Sequence, residues 1–308
     1  MMARWFPVVP ARRLAALRLY VGTFAVVYLL GQFPFWVSFA HFHRKDFRPY
    51  GLVKLLRDTP LPDAVQAAIL VATIGLALGF LVGACYRVVA PLFAVALLWT
   101  ITYRNSWGML FHTENLLVLH VLVLSIVPAA EAWSWDARRG RPAPDSERYG
   151  WPLRLCAAIT VLTYLVAGVA KLRLGGLDWT SGEALRDQVA IDNLRKHLMG
   201  SPMSPIATPL LSHAGIFEGL ALMSLAVELG APLALLHRRL ALVWSVAAWG
   251  FHVGVVALMA IVFPYPLVFI AYAPLYRCER PIDWLLARWR RRRQRVEVVD
   301  REPPATSA

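Results

Sequence analysis

In the segment YLVAGVAKLRLGGLDW, residues 164–179, an apolar run from Tyr164 to Ala170 ends on one basic side chain, Lys171. Gly175, Gly176 and Trp179 follow at once. An ammonium group in this position has two readings. It reaches out to lipid headgroups at a membrane edge, or it is desolvated enough to lose its proton and serve as a base. Other ionisable groups bear on the choice. Glu228 sits in LMSLAVELGAPLALL and His252 in WGFHVGVV, while FHTENLLVLH carries His112, Glu114, Asn115 and His120. A charged side chain at the bilayer centre costs roughly 2.5–3.5 kcal/mol on insertion scales, so each of these residues needs an account. A protonated Glu228 bonded to a neighbouring helix is one such account. A hydrogen-bonded core histidine is another, for His252.

The elements that position these residues follow from composition. Of 308 residues, 58% are hydrophobic and 17% charged, against roughly 25% charged in a soluble domain. The apolar residues come in long blocks, the pattern of a polytopic membrane protein. The bilayer is therefore the expected partner. The net charge of +13, from 32 Lys+Arg and 19 Asp+Glu, then reports orientation and not nucleic-acid binding. Cys85, Cys156 and Cys278 have no metal-type spacing and read as packing residues, with no disulfide framework and no metal site.

Eight apolar spans are predicted, over Leu14–Ala40, Ala64–Tyr86, Val88–Tyr103, Asn115–Trp133, Trp151–Ala170, Ile216–Leu236, Leu240–Phe263 and Tyr265–Tyr276. The fold class is an all-α polytopic helical bundle. Four basic clusters punctuate it: Arg4, Arg12, Arg13 and Arg18; Arg138, Arg139, Arg141, Arg148 and Arg154; His237 to Arg239; and Arg277, Arg280, Arg288 and Arg290 to Arg293. With eight spans all four fall on one side, which places both termini in the cytoplasm of a cell-membrane protein. SGEALRDQVAIDNLRKHL, residues 181–198, reads as an outer-side amphipathic helix with Ser181 as N-cap. Trp284, Leu285, Leu286 and Trp289 among arginines read as a helix lying on the anionic inner leaflet.

Depth along the spans groups the ionisable residues. Arg104, His112, Glu114, Asn115 and Lys171 fall near one outer level, with His120 roughly 12 Å below the end of its span. A polar chamber opening outward is expected, with His252 and Glu228 beneath it.

Three blocks also carry a family resemblance. HTENLLVLHVLVLSIVPAAEAWSWD resembles a His/Asn-rich helix ending in Trp-Ser-x-Asp. YLVAGVAKLRLGGLDWTSGEAL resembles an Ala-Gly-x-x-Lys-Leu segment followed by Asp-Trp. VELGAPLALLHRRLALVWSVAAWGFHVGVVALMAIVFPYPLV resembles a glutamate helix, an arginine-bearing turn and a Phe-His helix. In this order, over roughly residues 10–278, they are similar to the vitamin K-dependent γ-glutamyl carboxylase-like superfamily, also called HTTM.

The resemblance implies a transmembrane domain over 1–278; the residues beyond it read as a basic amphipathic cytoplasmic tail over 279–300 and a Pro/Ser/Thr-rich disordered end over 301–308. It implies Lys171 as the base acting on reduced vitamin K or a related quinol, with oxygen and carbon dioxide as co-substrates. It further implies His252 near the reaction centre, and His112, Glu114, Asn115, His120, Trp179 and Glu228 around the quinone chamber. A departure is Ala170, which stands where the animal carboxylases have a second lysine. One branch of the superfamily serves the production of a secreted toxin peptide. A non-catalytic protein that matures or exports a secreted peptide is therefore an alternative to the carboxylase. A small-solute transporter is a third reading, disfavoured because no inverted repeat is evident.

Overall fold

Proline and glycine decide where the apolar runs of this chain stop being helix. The computed structural model describes residues 5–108, 110–140 and 143–299. Arg4, Arg141 and the end over 301–308 lie outside the described residues, as do the side chains of Arg139, Arg292 and Arg293. The longer helices are α1 (Ala11–Gly31), α2 (Asp63–Val82), α3 (Tyr86–Asn105), α4 (Asn115–Ser125) and α5 (Glu147–Gly175). They continue as α6 (Glu183–Leu198), α7 (Ala214–Leu229), α8 (Arg238–Met259) and α9 (Glu279–Val299). The described residues contain no strand beyond a single bridge between Val9 and Ser146.

Five helices are long and apolar enough to cross a membrane: α1, α2, α3, α5 with its extension to Ser181, and α8. The protein is thus an all-helical, multi-pass membrane protein. The structure does not confirm the expected count of eight, and the reason is local. The fourth predicted span is helical only to Ser125, and Pro128 lies in the turns that follow. The sixth is broken after Leu229, where Gly230 and Pro232 turn it into a 3-10 segment. The eighth is split into Pro264–Leu267 and a 3-10 turn Ile270–Leu275 containing Pro274. Each proline removes a backbone donor that a continuous helix needs.

Two cores share α5. Its first half packs with α1 to α4 through Tyr149, Leu153 and Cys156. Its second half packs with α7 and α8 through Val161, Tyr164, Val227, Trp244 and Tyr272. Val71, Val82, Val95 and Val243 point outward, an apolar exterior suited to lipid and not to water.

Arg18 does not join the basic rim expected of it. It is fully buried. Nε donates to Ala129 O at 3.0 Å, Nη1 to Phe80 O at 3.1 Å and Leu81 O at 2.6 Å, and Nη2 to Trp133 O at 2.6 Å. One guanidinium thereby satisfies carbonyls at the end of α2 and in the turn after α4, groups with no helical partner. Gly83 makes room for it: φ is +69° and a Cβ there would lie 2.6 Å from Arg18 Nη1. The nearby Asp136 carboxylate accepts from Cys85 N at 2.9 Å and Tyr86 N at 2.8 Å, capping the start of α3. The Trp-Ser-x-Asp block of the sequence is therefore a structural clasp.

α9 docks on α1. Arg13 Nη2 meets Glu279 Oε1 at 2.7 Å and Arg12 Nε meets Asp283 Oδ2 at 3.4 Å. Trp284 and Leu285 remain exposed, with the Arg288 guanidinium 5.4 Å from the centroid of the Trp284 ring.

Candidate functional site

α5 runs past the apolar stretch and carries Lys171 in its last turns. The Gly175–Gly176 bend starts a 3-10 turn over Gly176–Ser181, which brings Trp179 back over the helix end. Gly182, at φ +79°, begins α6, and a Cβ there would lie 2.3 Å from both the Phe217 carbonyl carbon and Glu218 N. Only glycine lets this turn rest on α7. Ser181, the expected N-cap, accepts from Glu183 N at 3.3 Å, but Gly182 holds the cap position.

Gly168 stands one turn before Lys171. A Cβ there would come within 2.9 Å of Glu228 Cβ, so its absence allows α5 and α7 to approach. The result is an ion pair, with Lys171 Nζ 2.8 Å from Glu228 Oε1 and 3.4 Å from Ser224 Oγ. The ammonium also lies 4.8 Å from the centroid of the Trp179 ring and 5.6 Å from that of Phe251, within cation–π range. These contacts hold Lys171 against α7.

α6 and the segment that follows it fix the far wall by capping α8. Asn193 Nδ2 donates to Leu258 O at 2.9 Å, Lys196 donates to Met259 O, and Ser204 Oγ donates to Ala257 O. These carbonyls belong to the open end of α8. Within α6, burial opposes ionisation of Asp192, but hydrogen bonds from Lys196 and Arg195 outweigh it and hold the carboxyl below its usual range.

His252, on α8 next to Phe251, lies with Nε2 2.8 Å from Tyr164 OH, which is 2.7 Å from Tyr272 OH. Phe263 packs against both His252 and the exposed His112, with ring centroids 5.0 and 5.3 Å away. Lys171, Trp179, Glu228 and His252 thus form one contiguous site through Phe251 and Tyr164, with His112 at its rim.

The other expected members go elsewhere. Glu114 is buried in a separate network, accepting from Arg104 Nη1 at 2.9 Å and Nη2 at 2.6 Å and from Tyr28 OH. His120 is fully buried between Tyr265 OH at 2.7 Å and Thr160 Oγ1 and Cys156 O, each at 3.1 Å. Both of its ring nitrogens are engaged. Asn115 lies exposed in the first turn of α4. Gly168, Tyr164, Ser224 and Phe251 were not singled out from sequence. Only Gly168 carried a signal, a small residue within helical reach of the lysine.

Trp179 Nε1, Glu228 Oε2 and His252 Nδ1 are buried without a hydrogen-bond partner among the described residues. An unpaired buried polar atom costs about 1–3 kcal/mol, and a cluster of them calls for a reason. A cavity of about 140 Å³ lies beside Trp179, lined by Lys171, Trp179, Ser224, Phe251, Met223 and Val255 among others. No group of three His, Cys, Asp or Glu side chains among the described residues is arranged to hold a metal.

The class that fold and site define is a multi-pass helical membrane protein with a polar site enclosed by α5, α7 and α8. The family model for the HTTM domain matches residues 6–284, and the chain belongs to that family. Comparison with curated proteins and with solved structures found no match.

Proposed function

We propose that this HTTM protein is an integral-membrane enzyme of the vitamin K-dependent carboxylase kind, in which Lys171 acts as base on a reduced quinone. The observation that carries the reading is the Lys171–Glu228 pair with unpaired Trp179 Nε1 and Glu228 Oε2 beside it. The residues fit a quinol. A flat apolar ring matches Phe251, Met223 and Val255, and Trp179, whose Nε1 is unpaired, lines the same cavity as Lys171.

Trp179 Nε1 would donate to a ligand oxygen, and Lys171 Nζ would face a ligand hydroxyl. Lys171 becomes a base by passing its proton to Glu228 Oε1 along their 2.8 Å contact. The neutral amine then accepts the hydroxyl proton, and Glu228 keeps the one it received. Phe251 and Trp179 exclude water, which strengthens each of these contacts. When bound, the reduced quinone with oxygen supplies the strong base that takes a γ-proton from a glutamate side chain, to which carbon dioxide adds. The test is what the purified protein holds. A lipid quinone should co-purify in near-equal amount and be lost in Trp179→Phe. If no quinone co-purifies and none added binds, the peptide-maturation reading replaces this one.

The proposed topology keeps both termini and the basic loops in the cytoplasm of the cell membrane, with α6 outside and α9 on the inner leaflet. Cys85 is exposed and free and lies between α2 and α3, on the inner side. Asp187 is exposed on α6. An impermeant thiol reagent on intact cells should label Asp187→Cys and spare Cys85 until the membrane is permeabilised. The opposite pattern inverts the orientation.

A further inference from the structure

The end of the bundle away from Lys171 holds a second cavity with a different charge. Arg154, on its wall, lies roughly 25 Å before Lys171 along α5, at 1.5 Å per residue. The cavity, of about 230 Å³, sits where α1, α5 and α8 begin and where the chain leaves the Ile270–Leu275 turn for α9. Arg13, Arg154, His237, Arg238 and Arg277 line it, and among the described residues no Asp or Glu does. Arg13 is answered by Glu279 at 2.7 Å. Arg238 and Arg277 are exposed and form no ion pair among the described residues. His237 caps α8, its Nδ1 accepting from Arg239 N at 3.1 Å, so its proton is on Nε2 and adds a donor.

The walls are held by contacts of their own. Val9 and Ser146 exchange backbone hydrogen bonds at 3.3 and 3.0 Å. A Cβ at Gly150 would lie 1.8 Å from Pro7 O, so the segment before α1 rests directly on α5. Tyr276 OH donates to Ala241 O at 3.1 Å, which ties the chain before α9 to α8. Basic residues beside a membrane span ordinarily spread along its rim and reach headgroups singly. Here they come from four separate stretches of chain and meet at one concavity. A cleft lined by one sign of charge focuses its field on an entering anion. Arginine's planar fork suits phosphate oxygens in particular. Val9, Leu153 and Leu275 supply apolar wall, which favours an anion carrying a hydrocarbon stem over a free ion. Drug-sized ligands occupy roughly 300–1,000 Å³, so about 230 Å³ takes a headgroup while its chains stay in the bilayer.

We propose that this cavity binds the phosphate of an anionic membrane lipid, the headgroup class that basic pockets between spans accept. A zwitterionic headgroup is disfavoured, because its ammonium faces the same arginines. The site is independent of the quinol reading.

Delipidated full-length protein in detergent is titrated with phosphatidylglycerol, and bound lipid is counted by native mass spectrometry. A single phosphatidylglycerol should bind per chain, at least about tenfold tighter than phosphatidylcholine. Arg238→Gln/Arg277→Gln should weaken it at least about tenfold, because two charge-assisted contacts are lost. Both side chains are exposed, so the fold should survive, and thermal unfolding checks this. If the double variant is unstable, Arg277→Gln alone should show a loss of about fivefold. Arg290→Gln/Arg291→Gln removes the same charge from exposed positions on α9. At physiological ionic strength, where distant charges are screened, it should change affinity by less than about threefold. Equal losses in the two double variants assign the lipid to general attraction and overturn the site. Equal affinity for phosphatidylcholine, or no binding of phosphatidylglycerol, overturns it too. In a separate arm, excess inorganic phosphate should leave the lipid bound. Full displacement would make this a free-phosphate site and overturn the lipid assignment.

Discussion

Lys171→Arg is expected to abolish quinol oxidation as completely as Lys171→Ala. The two variants fail for different reasons, and the difference is informative. Alanine removes both the ion pair with Glu228 and the base. Arginine keeps a cation facing Glu228, whose oxygen now lies 2.8 Å from the amine, but guanidinium stays protonated at any accessible pH. A positioned base contributes typically 10²–10⁴-fold in rate, so each variant should lose at least that much. A small primary amine in the buffer should partly restore Lys171→Ala and leave Lys171→Arg inactive. The assay is oxygen- and quinol-dependent epoxide formation by purified protein, followed by carbon dioxide incorporation into a glutamate peptide. Full activity in Lys171→Arg would leave Lys171 as a structural partner of Glu228.

Glu114→Ala is expected to be the most destabilising change at the opposite group of buried charges. It removes the carboxylate that pairs with Arg104 at 2.6 Å, where the two side chains are only 6% and 4% exposed. Breaking a buried pair from one side costs about 3–5 kcal/mol, because the remaining charge has no solvent. Tyr28 OH loses its acceptor as well. Thermal unfolding in detergent should show a large fall for Glu114→Ala. It should show substantial recovery for the double variant Arg104→Met/Glu114→Leu, which leaves no buried charge. A shift for Glu114→Ala within about 1 kcal/mol of wild type would show that this pair does not hold the fold. A folded double variant should still oxidise quinol, since Glu114 belongs to a network apart from Lys171.

That separation explains how much was legible beforehand. The apolar runs located α1, α2, α3, α5 and α8 because bilayer thickness imposes a length that composition must match. Counting residues along those runs also gave each ionisable group a depth, since a helix rises a fixed 1.5 Å per residue. Depth is one coordinate of three. Glu114 and Lys171 were assigned to a common level near the outer interface, yet Glu114 turns toward α1 and α3 while Lys171 turns toward α7. The angle around a bundle depends on which helix packs beside which, and a single sequence does not contain it. Tyr164 stayed hidden for a related reason. Its hydroxyl matters only because α8 and the Ile270–Leu275 turn bring His252 and Tyr272 to it. Arg18 looked like one more basic residue in a flanking cluster, because a charge at the end of an apolar run is the usual sign of a membrane boundary.

Arg18 also sets a timetable for biogenesis. Its four carbonyl acceptors lie 62, 63, 111 and 115 residues downstream. When α1 first leaves the ribosome, none of them has been synthesised. The first membrane helix must therefore enter the insertion machinery with an unmatched guanidinium. The last partner, Trp133, arrives only after α2, α3 and α4 are made. Until then the charge has to stay at the aqueous boundary or in a protein-lined vestibule. Final seating of the first helix is consequently a late event in the assembly of this protein, and translation arrested before residue 133 should leave α1 extractable from the membrane.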